Sequence, residues 1–141
     1  KDQAKSFMTQ FSDGRVTYQI VDSHEELVSG TDVIVSAVTE MPELFCADDS
    51  LFKEGVLVVP VHTRGFQNCD LFFDHIFADD RGHVQGFKYF SQFKSFNELS
   101  EVLLGSVPAR LSDKERILAY NIGLGLHDVV FATKIYERFS C

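Results

Sequence analysis

The sequence predicts an α/β domain in which a parallel β-sheet is flanked by helices. Two apolar runs rich in β-branched residues, 33–35 and 56–61, are typical of strands that are buried on both faces. Segments with helical patterns alternate with the strand-like runs along the chain, which favours parallel pairing. At 141 residues the chain is long enough to bury the core of one domain.

Four short segments have the composition of strands. They comprise residues 16–21, 31–36, 56–61 and 76–78, and each is rich in Val, Ile, Phe or Tyr. Pro60 cannot donate a backbone hydrogen bond, so it should lie near the end of its strand. Residues 82–96 are rich in Gly and Phe without a clean period, and the sequence gives them no assignment.

The helices are indicated mainly by their ends. Residues 1–11 place apolar side chains on one helical face, and Ser23, Ser95 and Ser112 are each followed three residues later by Glu, as in a capping box. Gly30 should end the helix that Ser23 opens. The box at Ser112 should open the longest, C-terminal helix. Its apolar stripe comprises Ile117, Tyr120, Leu124, Phe131, Ile135 and Phe139.

Charge and cysteine content argue against several classes of protein. The net charge is -8 and there is no basic cluster, so we expect neither a nucleic-acid partner nor an anionic membrane surface. The sequence has no long apolar run and no signal peptide, which predicts a soluble, cytoplasmic protein. Cys46, Cys69 and Cys141 lack the spacing of a metal site, and we interpret them as reduced thiols without a metal.

The polar residues after the strand at 56–61 are candidates for a binding site. Ligands of open α/β sheets bind beyond the carboxyl ends of the strands, and His62, Thr63 and Arg64 occupy that position. A His beside an Arg could bind a carboxylate or a phosphate, the Arg through two parallel hydrogen bonds. A solvated loop is the alternative, and the residues alone leave both interpretations open.

Two further pairs of residues have a structural and a functional interpretation. Gly123 and Gly125 lie within the predicted last helix, where each costs about 1 kcal/mol relative to Ala, and close packing against the sheet is favoured over approach to a ligand. Asp79 and Asp80 could bind a metal, but adjacent carboxylates in a turn are usually solvated. No Gly-x-Gly-x-x-Gly and no Walker motif occurs in the sequence.

Several segments together resemble the ornithine cyclodeaminase/mu-crystallin family of NAD(P)-dependent proteins. In order along the chain, the similar segments are 30–39, 51–61, 99–110 and 116–136. The resemblance implies a partial Rossmann-like sheet that lacks its first glycine-rich strand-helix-strand portion. Residues 1–141 are then expected to form one incomplete NAD(P)-binding domain of a longer protein, whose missing domain forms a homodimer.

The resemblance also implies roles for individual residues. The positions that fall on cofactor-lining residues of the family are Ser36, Val38, Val61, His62, Thr63 and Asn121. Ile122 falls next to the substrate, and Asn68 stands where a cofactor-contacting Lys is usual. The cofactor is implied to be NAD or NADP, without a choice between the two.

One departure from the family bears on catalysis. An Asp of the true cyclodeaminases acts as acid and base at the position that Arg64 holds here. Because an Arg stays protonated at neutral pH, it cannot replace that carboxylate as a general base. His62 becomes the best candidate to transfer a proton, and Arg64 a candidate to bind a substrate carboxylate.

Two functions follow as expectations. The first is the cofactor-binding part of a divergent NAD(P)-dependent oxidoreductase or cyclodeaminase-like protein that acts on a small amino or imino acid. The alternative is a non-catalytic ligand-binding or regulatory protein on the same crystallin-like scaffold. A weaker third possibility is a structural part whose function depends on a missing partner domain.

Overall fold

The computed structural model describes residues 2–38, 45–62 and 69–140, with Cys69 described by its backbone alone, and its strands form one parallel sheet. The strands are β1 (Val33–Ser36), β2 (Leu57–Pro60), β3 (His75–Ala78), β4 (Phe96–Glu98) and β5 (Ile117–Tyr120). Their spatial order is β1-β2-β5-β3-β4, and every neighbouring pair is parallel. The predicted parallel α/β sheet flanked by helices is confirmed.

Short helices connect the strands, and a long one follows the last strand. The helices are α1 (Asp2–Phe11), α2 (His24–Val28), α3 (Cys69–Phe72), α4 (Arg81–Val84), α5 (Leu99–Leu103) and α6 (Gly125–Phe139). Ser23 is the N-cap of α2, as predicted, and its Oγ accepts the Glu26 N–H at 3.1 Å. The Glu26 carboxylate accepts the Asp22 N–H at 3.1 Å, one residue before the amide that a capping box would use. Gly30 follows this helix with a φ of 77°, as expected of a helix-ending glycine. Across the described ranges, no helix is long and apolar enough to cross a membrane.

The last strand in the chain, β5, occupies the centre of the sheet. It pairs with β2 on one side and with β3 on the other, so that Ile117 faces both Leu57 and His75 in register. Because all pairs are parallel, the carboxyl ends of the strands lie along one edge of the sheet. Residues that follow β1, β2, β5 and β3 are therefore neighbours at that edge.

The strand β5 lies where the sequence predicted the start of a helix. All four of its residues are buried, and a short apolar run of this kind cannot be distinguished from a buried helix segment by its period. The C-terminal helix begins only at Gly125, and Ser112 does not open it. Instead of closing a capping box, Glu115 accepts a hydrogen bond from the Leu111 N–H at 2.6 Å.

Two other predicted elements differ from the structure. Residues 16–21 are irregular rather than a strand, and none of them is buried, since strand propensity without a partner strand is insufficient. The box predicted at Ser95 is displaced by three residues, because β4 comes first. The N-cap of α5 is Glu98, whose N–H donates to Glu101 Oε2 at 2.8 Å.

Phenylalanine rings fill the covered face of the sheet. Phe52 and Phe73 are fully buried, with ring centroids 5.6 Å apart in an edge-to-face arrangement. The segment 82–96, which the sequence left unassigned, includes most of α4 and adds four rings to this core. These are Phe87, Phe90, Phe93 and Phe96.

The opposite face of the sheet is covered only in part. Leu99 and Val102 of α5 pack over Phe77 of β3 and over the neighbouring β5. On the edge strand β1, Val33 and Val35 remain 54% and 63% exposed. The prediction that the run 33–35 is buried on both faces is therefore wrong, because this edge lies away from the strands that α5 covers.

The apolar stripe predicted for the last helix is not part of the described core. Phe131, Ile135 and Phe139 of α6 are all more than half exposed. Ile117 and Tyr120 are buried, but as residues of β5. A helical pattern shows that a helix has an apolar side, and it leaves open what covers that side.

Candidate functional site

The carboxyl ends of β1, β2 and β5 bring four of the predicted site residues together. Ser36 ends β1, Val61 and His62 follow β2, and Asn121 follows β5. Hydrogen bonds of the backbone join these ends: the Val61 N–H donates to the Ser36 C=O at 2.9 Å, and the Asn121 N–H to the Pro60 C=O at 2.9 Å. This edge of an open parallel sheet is where ligands bind in α/β proteins.

Ser36 and His62 form a buried polar pair at this edge. Ser36 Oγ lies 3.1 Å from Nε2 of His62, and the two residues are only 4% and 6% exposed. The side chains are 26 positions apart in sequence and meet because β1 and β2 are neighbours. The hydrogen bond fixes the orientation of the imidazole, so His62 can hold a proton at a defined place.

Val38 and Val61 add exposed apolar surface to the same edge. They are 38% and 43% exposed, and each lies beyond the end of its strand. Apolar side chains around a few oriented polar groups are typical of sites that bind a small organic molecule.

Asn121 and Ile122 lead out of the central strand β5. Nδ2 of Asn121 donates to the Ala119 C=O at 3.1 Å, which holds the amide against the strand. Asn121 also lines an open cleft of about 440 Å³ on the α5 side, together with Val59 and Arg110. Ile122 is half-buried and packs against the main core.

Thr63 and Arg64 lie outside the described residues, and so does Asn68. The described site therefore consists of the Ser36–His62 pair, the two exposed valines and the turn that begins at Asn121.

Asp79 lies at this edge, where the sequence favoured a solvated carboxylate over a metal ligand. Its side chain is only 6% exposed, although the residue follows the end of β3 and precedes a second carboxylate, Asp80. Oδ2 accepts the Gly123 N–H at 2.5 Å, and Oδ1 accepts the Asp80 N–H at 2.9 Å. Nδ1 of His83 is 3.4 Å from Oδ1. The expectation that this carboxylate is solvated is wrong, and its place directly after an apolar strand was the available signal.

The neighbouring Asp80 has a different role. Its carboxylate caps α4 by accepting the Gly82 N–H at 2.6 Å. Two adjacent carboxylates thus serve two separate hydrogen-bonding roles. Within the part of the chain that the structure describes, no group of three His, Cys, Asp or Glu residues is arranged to hold a metal ion.

Gly123 lies in the turn between β5 and α6 rather than inside a helix. Its φ is 106°, which disfavours residues with a Cβ, and nothing lies within 4 Å of the place that a Cβ would take. Close packing, the interpretation favoured from the sequence, is therefore wrong for Gly123. The glycine is required for the conformation of the turn.

A second buried carboxylate, that of Asp70, is hydrogen-bonded to the end of the central strand β5. The Tyr120 hydroxyl donates to Oδ1 of Asp70 at 2.5 Å, and the two residues are 0% and 2% exposed. Asp70 belongs to α3, so this bond ties α3 to the last residue of the central strand.

The parallel sheet, with oriented polar residues beyond the ends of adjacent strands, defines a Rossmann-like α/β domain. The chain belongs to the ornithine cyclodeaminase/mu-crystallin family, whose family model matches residues 1–141. The family resemblance predicted from the sequence is confirmed.

A curated relative and two solved structures are similar to this chain. The nodulation efficiency protein NfeD of Rhizobium meliloti is 28% identical over 143 residues, which is 96% of this chain and 44% of the relative. A probable ornithine cyclodeaminase from Bordetella pertussis Tohama I aligns with a TM-score of 0.70 at 19% identity, over 84% of this chain and 42% of that chain.

The second similar structure is a Δ1-pyrroline-2-carboxylate reductase from Thermococcus litoralis in complex with NADH and L-proline. It aligns with a TM-score of 0.69 at 19% identity and covers 83% of this chain and 40% of that chain. The present chain thus spans less than half the length of each of these three proteins.

Proposed function

We propose that this chain is the nicotinamide-side portion of an NAD(P)-binding domain in a divergent oxidoreductase or cyclodeaminase-like protein. Its substrate would be a small amino or imino acid. In this proposal, Ser36, Val38, Val61, His62, Thr63 and Asn121 surround the cofactor, and Ile122 lies next to the substrate.

One observation carries the proposal: three adjacent parallel strands end in residues suited to a flat, polar-edged ring. Val38 and Val61 supply exposed apolar contact, while Ser36, His62 and Asn121 supply oriented polar groups. The family membership and the NADH found in the Thermococcus litoralis structure support NAD or NADP as the occupant.

The residues present fit one end of a dinucleotide rather than all of it. The sequence contains no Gly-x-Gly-x-x-Gly, so the usual turn for the pyrophosphate would have to be supplied by another segment. When bound, the nicotinamide supplies hydride transfer to or from the carbon that bears nitrogen. His62 would hold a proton beside the substrate, and Arg64 would bind its carboxylate.

Titration of the full-length protein with NADH and with NADPH tests the proposal. We expect Val61→Asp to weaken binding of the reduced cofactor at least about tenfold, because it replaces exposed apolar surface with a charged carboxylate that would have to be desolvated against the ring. Val16→Asp is the matched control, since Val16 is 55% exposed and belongs to the irregular segment 16–21, outside the strands that carry the proposed site.

Fluorescence or calorimetry gives the dissociation constants. Absence of binding of both cofactors at millimolar concentration contradicts the proposal. Equal weakening by the two Val→Asp variants contradicts the assignment of this edge as the site.

A binding role without turnover has one observation in its favour. Nε2 of His62 is hydrogen-bonded to Ser36, and the ring is almost fully buried. A histidine held in this way is less available for proton transfer to a substrate than an exposed one. For this alternative, Arg64 in place of a family carboxylate is the further support.

Steady-state turnover with amino and imino acids separates the two functions. An enzyme should lose at least about a hundredfold in kcat in His62→Ala, the lower range of general acid–base catalysis. A non-catalytic protein should show no turnover in either form, with only its ligand affinity changed. Wild-type turnover that His62→Ala abolishes would exclude the non-catalytic alternative.

A further inference from the structure

We propose that Asp79 is a positioning residue that holds the turn 121–124 in the shape required for ligand binding. The turn carries Asn121 and Ile122 beyond the central strand. The inference rests on the proposed function in one respect, namely that this turn faces the cofactor.

The contacts of Asp79 join the ends of two neighbouring strands. Its backbone N–H donates to the Tyr120 C=O at 3.0 Å, so the residue extends the pairing of β3 with β5 by one step. Its buried carboxylate then accepts the Gly123 N–H at 2.5 Å, three residues beyond that carbonyl. Asp79 therefore contacts the path of the turn on both sides of Asn121.

Local features of the turn 121–124 do not fix its conformation, so a contact such as that of Asp79 is needed. Gly123 is exposed and has a φ of 106°. Because a glycine can adopt many other backbone conformations, local sterics alone do not hold it in this one. Leu124, the N-cap of α6, makes no side-chain capping hydrogen bond. The hydrogen bond that the Gly123 N–H donates to the buried Asp79 carboxylate is charge-assisted. Such a bond is about twice as strong as a neutral one, and it selects one conformation of the turn before this helix.

The opposite end of the same two strands provides a matched control. Asp74 precedes β3, and its Oδ2 accepts the Arg116 N–H just before β5 at 3.0 Å. Asp74 and Asp79 thus make the same kind of carboxylate–amide bond at the two ends of one strand pair. Only Asp79 lies at the candidate site.

The experiment compares three variants of the full-length protein: Asp79→Asn, Asp74→Asn and His83→Ala. We expect Asp79→Asn to raise the Kd for NADH about tenfold, because a charged acceptor becomes a neutral one at a buried site. Asp74→Asn should lower the thermal midpoint without changing Kd by more than about twofold. His83→Ala tests whether the carboxylate acts through His83, and it should leave Kd unchanged.

A second measurement does not depend on cofactor binding. In ¹H–¹⁵N spectra of the unliganded protein, the Gly123 amide proton should be shifted downfield, and Asp79→Asn should move it upfield while Asp74→Asn leaves it in place. If the wild type binds no cofactor but Gly123 responds in this way, the proposed function fails and the positioning role of Asp79 stands.

Two results would overturn the inference. One is a Gly123 amide resonance that does not respond to Asp79→Asn. The other is a loss of NADH affinity in Asp74→Asn equal to that in Asp79→Asn, which would mean that general destabilisation explains both.

Discussion

His75 and Glu115 form a polar pair inside the sheet, at the end opposite the candidate site. His75 opens β3, and its Nδ1 lies 3.7 Å from Oε1 of Glu115. Nε2 of the same ring is 3.1 Å from Oδ1 of Asn97, and the second Glu115 oxygen accepts the Leu111 N–H. Both members of the pair are at least nine-tenths buried. Buried groups connected in this way depend on one another for their hydrogen bonds.

Removal of Glu115 should therefore be costly for stability. We expect Glu115→Ala to lower the free energy of unfolding by about 1–3 kcal/mol, because it removes the acceptor of the Leu111 N–H and the carboxylate that lies beside the buried His75 ring. Urea denaturation measures the change. Glu54→Ala is the control: Glu54 is 57% exposed and pairs with Lys114 at the surface, so its loss should cost less than about 1 kcal/mol. Equal losses in the two variants would show that burial of Glu115 contributes nothing.

Among the helices and strands, the Ser-x-x-Glu pattern predicted three helix starts, of which one is correct and two are wrong. The Ser-x-x-Glu pattern at Ser23 caps α2 as predicted. At Ser95 the three following residues pair with β3 instead, and the last of them, Glu98, becomes the cap. At Ser112 the pattern precedes the buried strand β5. A capping pattern is a local preference, and burial in a sheet outweighs it when the next residues are apolar.

The central position of β5 could not be predicted from local patterns. A run of four apolar residues fits a strand and a buried helix equally well, and its neighbours β2 and β3 lie far from it in sequence. Ser36 and His62 were nevertheless placed correctly at a sheet edge, because the strands before them were recognised from composition. Asn121 was reached only through the family resemblance, since β5 had been interpreted as part of a helix.

For the candidate site, Asp79 shows what could not be predicted from the sequence. Its burial depends on a hydrogen bond to Gly123, 44 residues later in the chain, across a strand pairing that the sequence did not reveal. Pairs formed through tertiary structure of this kind leave no local spacing to detect. The strand end itself was predictable, and the partner of its carboxylate was not.

In the whole molecule, the carboxyl and amino ends of the strands carry different kinds of contacts. The carboxyl end carries the Ser36–His62 pair and the turn that Asp79 anchors. The amino end carries the bonds that hold the strands in register, including Asp74 with Arg116. Nε of Arg116 also donates to the Phe52 C=O at 3.0 Å, which ties this end to the main core. Stability can therefore be varied at the amino end with little effect on the candidate site.

Several carboxylates contribute to folding only while they are ionised. Burial by itself raises the pKa of Asp74, but the hydrogen bond from the Arg116 N–H and the bond and charge of Lys94 outweigh it, so the pKa lies below the ordinary 3.8. The Glu98 N–H and the Asn97 amide likewise hold the pKa of Glu101 below the ordinary 4.5. The pKa of Asp49 is shifted in the opposite direction, because burial raises it above the ordinary 3.8.

Acidification should consequently destabilise the fold, and Asp74 should account for part of the effect. A carboxyl whose pKa is lower in the folded chain than in the unfolded chain stabilises fully above its unfolded pKa and loses that contribution as the pH falls through its folded pKa. We expect the free energy of unfolding to decrease from about pH 5 towards about pH 2. In Asp74→Asn the decrease should be shallower, and stability at neutral pH should be lower than in the wild type. Urea denaturation at a series of pH values measures both, with Asp113→Asn at an exposed position as the control. A pH dependence in Asp74→Asn as steep as that of the wild type would mean that the bond to the Arg116 amide is not maintained in solution.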